Sequence, residues 1–290
     1  MTQTPIIELG TLSAFSFLQG ASLPEELIAQ AAHLGFATIG LADWHGISGV
    51  VRAHRAAKEV GIRLIPGTRL TLSDGSVLLA YPINRTGWGW LCKLLTLGHY
   101  RGERGVFALD WSDLKQAADH LVLILQPGIA IETTRLQIEA LCAISPDRNR
   151  RYLGLVYRRE PYAWRRLHGL QALGAQMGIE TVITGDVRLH DPKRHLLLDV
   201  LTAIHTNTTL DALGPERMAC PDLVLRGPDK PEPHRRSVPL FAGRSALPVS
   251  KRGDDRGGKP AGDPRTSGSK RPAPTLSGRH TRNSPRPDQT

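Results

Sequence analysis

The chain has 290 residues and a formal charge of +10, enough for one large domain or two small ones. The charge is uneven: residues 215–290 hold 16 Lys/Arg against 8 Asp/Glu, a net +8, which leaves +2 for everything before them. The overall basicity is therefore no argument that the body binds nucleic acid, and three widely spaced cysteines, Cys92, Cys142 and Cys220, exclude a disulfide framework and a CxxC zinc site and suit a reducing cytoplasm.

The N-terminus, Met1-Thr2-Gln3-Thr4-Pro5, has no basic region and no long apolar run, so it does not read as a secretory signal. The strongest apolar run, Leu121 to Leu125, is far short of the roughly 20 residues that span a bilayer, and no membrane insertion is expected.

The first predicted element is a strand over Ile6–Leu12. Ser22-Leu23-Pro24-Glu25 then reads as a capping box with proline in the first turn. Leu27, Ile28, Ala31 and Leu34 follow at helical spacing, and Gly35 ends the helix. A buried strand covers Ala37–Ala42 and ends at Asp43. A helix over 47–60 stops at Gly61. Strands are predicted at 63–66 and 76–81, a helix at 88–97 and a short helix at 112–119. The alternation continues with a strand at 121–126, a helix at 132–143, a strand at 152–157 and a helix at 162–176. A strand at 181–184 and a helix at 192–205 complete it.

Repeated strand-then-helix units predict an α/β fold with parallel strands and right-handed crossovers, either a barrel or a doubly wound sheet. After about residue 210 Pro, Gly, Arg, Ser and Asp dominate and periodicity stops. Residues 1–214 are thus expected as the folded domain. Residues 215–290 are expected to be a disordered, basic, Pro/Gly/Arg-rich low-complexity tail.

In a (β/α) barrel, chemistry collects where strands end at one rim. A metal-dependent hydrolase needs several His, Asp or Glu ligands there. The rim instead offers Gly10 and Leu12, Asp43 and Trp44, Arg69, and Asp186 and Arg188. A guanidinium cannot be deprotonated into a ligand. Asp43 and Asp186 read either as polar strand ends or as remnant ligands. Two carboxylates alone would hold at most a weak, largely hydrated Mg²⁺.

Other polar residues read more simply. His45, His54, His190 and His205 are expected as surface or half-buried side chains. Ser13 and Ser16 lack a recognisable base, so no serine-hydrolase site is expected. Cys92, Trp88 and Trp90 read as packing residues.

The stretch from Glu8 to Leu70, with SAFSFLQGAS and GVVRAHRAAKE, resembles the start of the PHP (polymerase and histidinol phosphatase) domain of bacterial C-family DNA polymerases. LCKLLTLG and TGDVRLHDPKRHLLLDVLTAIHTNTTLD are similar to the error-prone paralogue of the DNA polymerase III alpha subunit. The resemblance covers residues 6 to about 214 and implies a distorted, TIM-like (β/α) barrel. It also implies a parent activity of damage-tolerant, DNA-templated DNA synthesis and repair, with DNA and a sliding clamp or mutasome proteins as partners. Metal-binding members hold Zn or Mn through H-x-H, D-H, an acidic residue after the I-x-G turn, and D-x-H. Here those motifs read Gly10-Thr11-Leu12, Asp43-Trp44, Arg69 and Asp186-Val187-Arg188. The resemblance therefore implies a degenerate metal site, no catalytic residues, and a structural module as the reading of this domain. It places these charges around one pocket, so Arg69 and Arg188 are expected to stand in for the ions and to pair with Asp43 and Asp186. Which residues would touch nucleic acid, and the oligomeric state, stay open.

No polymerase-like sequence follows Asp211, and the composition there is that of a GC-rich gene read in another frame. A truncated or frame-shifted product is the expectation. Two alternatives stand beside the structural module. One is a free-standing metal-dependent phosphoesterase of the same fold. The other is a fragment that binds nucleic acid through its basic tail.

Overall fold

The computed structural model describes residues 7–103, 105–128, 130–156, 161–214 and 223–227. Seven strands form one sheet in chain order: β1 (Ile7–Thr11), β2 (Thr38–Trp44), β3 (Arg63–Thr71), β4 (Val77–Pro82), β5 (Leu121–Gln126), β6 (Arg151–Val156) and β7 (Glu180–Thr184). The sheet curls into a nearly closed barrel. The gap between β7 and β1 is bridged by Leu12 N–H donating to the Val187 carbonyl at 2.7 Å and Gly185 N–H donating to the Glu8 carboxylate at 2.7 Å.

The expectation of parallel strands throughout is corrected at β4, which is antiparallel to both β3 and β5. The reason is local. The link from Thr71 to Val77 is a tight turn, in which Leu72 N–H donates to the Ser76 carbonyl and Gly75 takes φ +81°. A parallel neighbour needs a crossover of a dozen residues or more. Once the hairpin has reversed the chain, β5 returns along the original direction, and β5–β6–β7 pair in parallel as β1–β2–β3 do.

Helices pack outside: α1 (Pro24–His33), α2 (Val50–Val60), α3 (Arg85–Arg101), α4 (Trp111–Leu114), α5 (Ile131–Ile144), α6 (Ala163–Met177) and α7 (His195–His205). The predicted helix over 112–119 is divided into α4 and a 3-10 turn at Ala118–His120, and the one over 192–205 starts as a 3-10 turn at Pro192–Arg194. The predicted capping box forms only by half. Leu23, one residue later than expected, is the N-cap, and its N–H donates to Glu26 at 2.8 Å. Leucine has no acceptor to complete the exchange, and the Ser22 hydroxyl is engaged elsewhere, with His190.

Two-residue periodicity sorts the core. Leu78 and Ala80 of β4, with Leu121, Leu123 and Leu125 of β5, pack in the largest cluster with α3, α5 and α6. Their alternates Leu79, Tyr81, Val122 and Ile124 join Leu9 and Ala42 in a separate cluster, the filling of the barrel. Each fully buried leucine contributes roughly 1.5–3 kcal/mol. Smaller clusters seat α1 and α2 on β2, and α7 against Leu189, Leu223 and Val224.

The folded part does not stop at residue 214. Leu223, Val224 and Leu225 are buried; Val224 bridges Leu189, and the Leu223 carbonyl accepts from Arg188 N–H at 2.8 Å. From the sequence this short apolar run reads as tail, because its surroundings are polar. Apart from residues 223–227, the predicted tail lies outside the described residues. Among the described residues no helix is long and apolar enough to cross a membrane.

Candidate functional site

The mouth of the barrel is formed where β1, β2, β3 and β7 carry Gly10, Asp43, Arg69 and the residues after Thr184. Arg69 does not end its strand as expected; it lies within β3, level with Trp44 at the end of β2. The longer β3 places a guanidinium in the mouth instead of on the rim.

Arg69 is 4% exposed. Its Nη1 donates to Asp186 Oδ1 at 2.7 Å and its Nη2 to the Gly10 carbonyl at 3.1 Å. Its Cζ lies 5.1 Å from the Trp44 ring centroid, a cation–π contact. Gly10 is what makes room. It has φ +85°, and a Cβ there would stand 3.6 Å from Arg69 Nη2 and 3.4 Å from Leu79 Cδ1. A larger side chain at position 10 would compete with the guanidinium for the same space. The Gly10 N–H donates to the Tyr81 hydroxyl at 3.0 Å.

The two aspartates differ in partners. Asp186, in the left-handed region at φ +45°, accepts from Arg69 and, through Oδ2, from Arg188 Nη2 at 3.3 Å. Asp43 is 2% exposed and pairs with neither arginine. Its Oδ1 accepts from Ser13 N–H and the Ser16 hydroxyl, each at 2.7 Å, and its Oδ2 from the Ser13 hydroxyl at 2.8 Å. The expected pairing of arginines with both aspartates thus holds for Asp186 and is corrected for Asp43. The loop after β1 folds back and brings neutral donors to Asp43 first. Burial raises the Asp43 carboxyl above its ordinary range, opposed by the Ser16 and Ser13 hydrogen bonds and by the charge of Arg69.

Ser13 and Ser16 therefore anchor a loop. Ser16 Oγ also accepts from Trp44 N–H at 3.0 Å, and Ser13 Oγ from Phe15 N–H at 3.2 Å. Their sequence signal was two serines three residues apart after a strand; nothing in it named Asp43 as their acceptor. Glu8, Thr68 and Tyr81 also went unnoticed. Thr68 Oγ1 donates to the Asp43 carbonyl at 2.9 Å, and burial pushes the Tyr81 phenol well above its ordinary range.

Leu12 is fully buried, and its side chain has no donor to offer. The histidines do not gather at the mouth. His54 and His205 are exposed. His190 Nδ1 lies 2.8 Å from Ser22 Oγ and 3.8 Å from Glu26. His45, at φ +49°, stacks on Phe107 at 4.1 Å, and burial, with the charge of His99, lowers its pKa to about 4. Cys92 is half-buried on α3, Trp90 packs against the largest core, and Trp88 is half-buried.

A divalent ion does not fit this donor set. Both oxygens of Asp43 accept hydrogen bonds from a loop, and both oxygens of Asp186 face guanidinium groups. A permanent cation 2.7 Å from Asp186 repels what a ligand cluster would attract. Among the described residues no three His, Cys, Asp or Glu side chains converge.

Residues 8–151 match the family model described as PHP domain. The chain carries a PHP domain. It is 39% identical over 225 residues to an error-prone DNA polymerase of Allorhizobium ampelinum, covering 78% of this chain and 20% of that protein. It is 40% identical over 233 residues to an error-prone DNA polymerase of Mesorhizobium japonicum, covering 79% and 21%. The chain thus spans about a fifth of the length of the curated relatives it matches. Among solved structures, an amidohydrolase from Chromobacterium violaceum aligns with a TM-score of 0.47 at 14% identity, over 63% of this chain and 87% of that one. The PHP domain here is nearly closed and seven-stranded, with Gly10, Leu12, Trp44, Arg69 and Arg188 around its mouth.

Proposed function

We propose that this PHP domain is a non-catalytic structural module of an error-prone DNA polymerase. The relatives at 39–40% identity support the polymerase connection. One observation carries the non-catalytic part: the buried Arg69–Asp186 ion pair at 2.7 Å, seated against the Gly10 carbonyl. A fixed guanidinium there does electrostatically what a bound cation would do. It holds the strand ends β1, β3 and β7 together, but it has no open coordination position and activates no water.

The larger activity in this reading is DNA-templated synthesis across damaged template, in repair, in the cytoplasm. DNA is the substrate, and a sliding clamp or mutasome proteins are partners. In that setting the domain contributes a rigid folded body to a polymerase built from further domains.

The test is metal content and phosphoester hydrolysis. The full chain, incubated with Mn²⁺ or Zn²⁺ and dialysed, is expected to retain less than a tenth of an equivalent by elemental analysis. It is expected to release no phenolate from bis(p-nitrophenyl) phosphate above buffer. A stoichiometric retained metal with turnover would replace this reading with the free-standing phosphoesterase.

A further inference from the structure

The mouth has an excess of donors. Arg69 and Arg188 share the one carboxylate of Asp186, at 2.7 and 3.3 Å, so this trio by itself is positive, although Asp43 and Glu8 add two further buried carboxylates to the mouth. Asp43 is occupied by its three serine-loop donors. The other nearby carboxylate, Glu8, accepts from Gly185 N–H across the β7–β1 gap.

Three buried N–H groups in this cluster have no hydrogen-bond partner: Arg69 Nε, Arg188 Nε and the indole Nε1 of Trp44. The buried hydroxyls of Thr11 and Thr184 are also unpartnered. These residues are neighbours. Trp44 lies under the Arg69 guanidinium, Arg188 meets it through Asp186, Thr11 follows Gly10, and a Cβ on Gly10 would stand 3.6 Å from Thr184 Cβ. Buried donors without acceptors are rare, and each costs free energy until an acceptor, water or an ion, is supplied. The three nitrogens can only donate. What they lack is therefore an acceptor, and a metal cation cannot be one.

Resting on the non-catalytic reading, we infer that the positions equivalent to a metal site form an oxyanion site, selective for a small tetrahedral ion such as phosphate. Guanidinium groups suit such oxygens through paired N–H donors. Arg69 is locked by Asp186 and Gly10 and acts as the fixed wall. Arg188, whose side chain is 21% exposed, is the member open to solvent and the side from which the ion enters. The site inverts the charge preference of a metal-binding PHP mouth while keeping its place at the strand ends.

The experiment titrates inorganic phosphate into the full chain by isothermal calorimetry at constant ionic strength. Arg188→Gln and Trp44→Phe are run beside it, with circular dichroism to confirm folding. Saturable binding of one phosphate is expected. Arg188→Gln should weaken it at least tenfold, and Trp44→Phe, which deletes one N–H and keeps the ring, several-fold. The basic residues after 227 are identical in all three proteins, so binding that neither substitution changes would place the ion on the tail and overturn the site. Absence of saturable binding in folded, metal-free wild type would overturn it as well, while leaving the non-catalytic reading intact. A retained stoichiometric metal would instead remove the reading beneath it.

Discussion

The two sides of the barrel mouth hold one aspartate each and treat them differently. On the β1–β2 side Asp43 is satisfied by an amide and two hydroxyls, all from the loop that follows β1. On the β3–β7 side Asp186 is satisfied by two guanidinium groups from separate segments. Neutral donors offset the burial of one carboxylate only partly, and the Asp43 pKa is raised. Formal charges tie the other into an ion pair that also closes the barrel. The same residue type thus anchors a loop in one place and locks strands in the other.

The largest expected effect is on the charged side. Arg69→Met removes the 2.7 Å guanidinium partner of the buried Asp186 and should cost about 3–5 kcal/mol, the usual penalty for breaking a buried pair. Urea denaturation measures it. Arg69→Met combined with Asp186→Asn should recover much of that loss, because the carboxylate and its 2.7 Å guanidinium partner are then removed together.

Asp43→Ala strands the Ser13 and Ser16 donors and should cost about 2–4 kcal/mol in the same assay. It should also loosen residues 13–16 to hydrogen exchange, which Arg69→Met should do less. A larger loss from Asp43→Ala than from Arg69→Met would reverse the ranking of the two sides. Tyr81→Phe removes the acceptor of the Gly10 N–H and should cost about 1–2 kcal/mol, felt equally on both sides.

The smallest effect concerns pH. The His45 pKa is lowered to about 4 in the fold from an ordinary 6.5. Between those values the unfolded chain binds the proton and the folded chain does not. Stability is therefore full above pH 6.5 and falls as pH drops towards 4, by about 1 kcal/mol after allowing for solvent at the half-buried ring. Asp43 acts in the opposite sense: its raised pKa favours the folded state at low pH, and that contribution fades as pH rises above 3.8. The difference between wild type and His45→Gln isolates the histidine. A difference that does not change between pH 4 and 6.5 would show that His45 is not held neutral.

Much of this architecture was legible from periodicity. The strand at 121–126 and the helices near 24, 132 and 162 sit where alternation and helical spacing put them. The hairpin at β3–β4 was not, because a gap between strand-like runs does not state its direction, and only the pairing of Arg69 with Leu79 in register reveals the reversal. The docking of Leu223–Leu225 was hidden for a related reason: three apolar residues in a polar stretch bury nothing until Leu189 and α7 provide a surface.

The amino-acid types alone determined the chemistry the mouth lacks. Gly10, Leu12 and Trp44 stand where the family resemblance puts imidazoles, Arg69 where it puts a carboxylate and Arg188 where it puts another imidazole, and arginine keeps its proton in any fold. Tertiary structure decided how the remaining charges are shared. Asp43 and Asp186 lie far apart in sequence, and which donors reach each of them depends on where the β1 loop turns and how far β3 extends. Hydrogen bonds act over about 3 Å, so that allocation exists only once the barrel has brought its strand ends together.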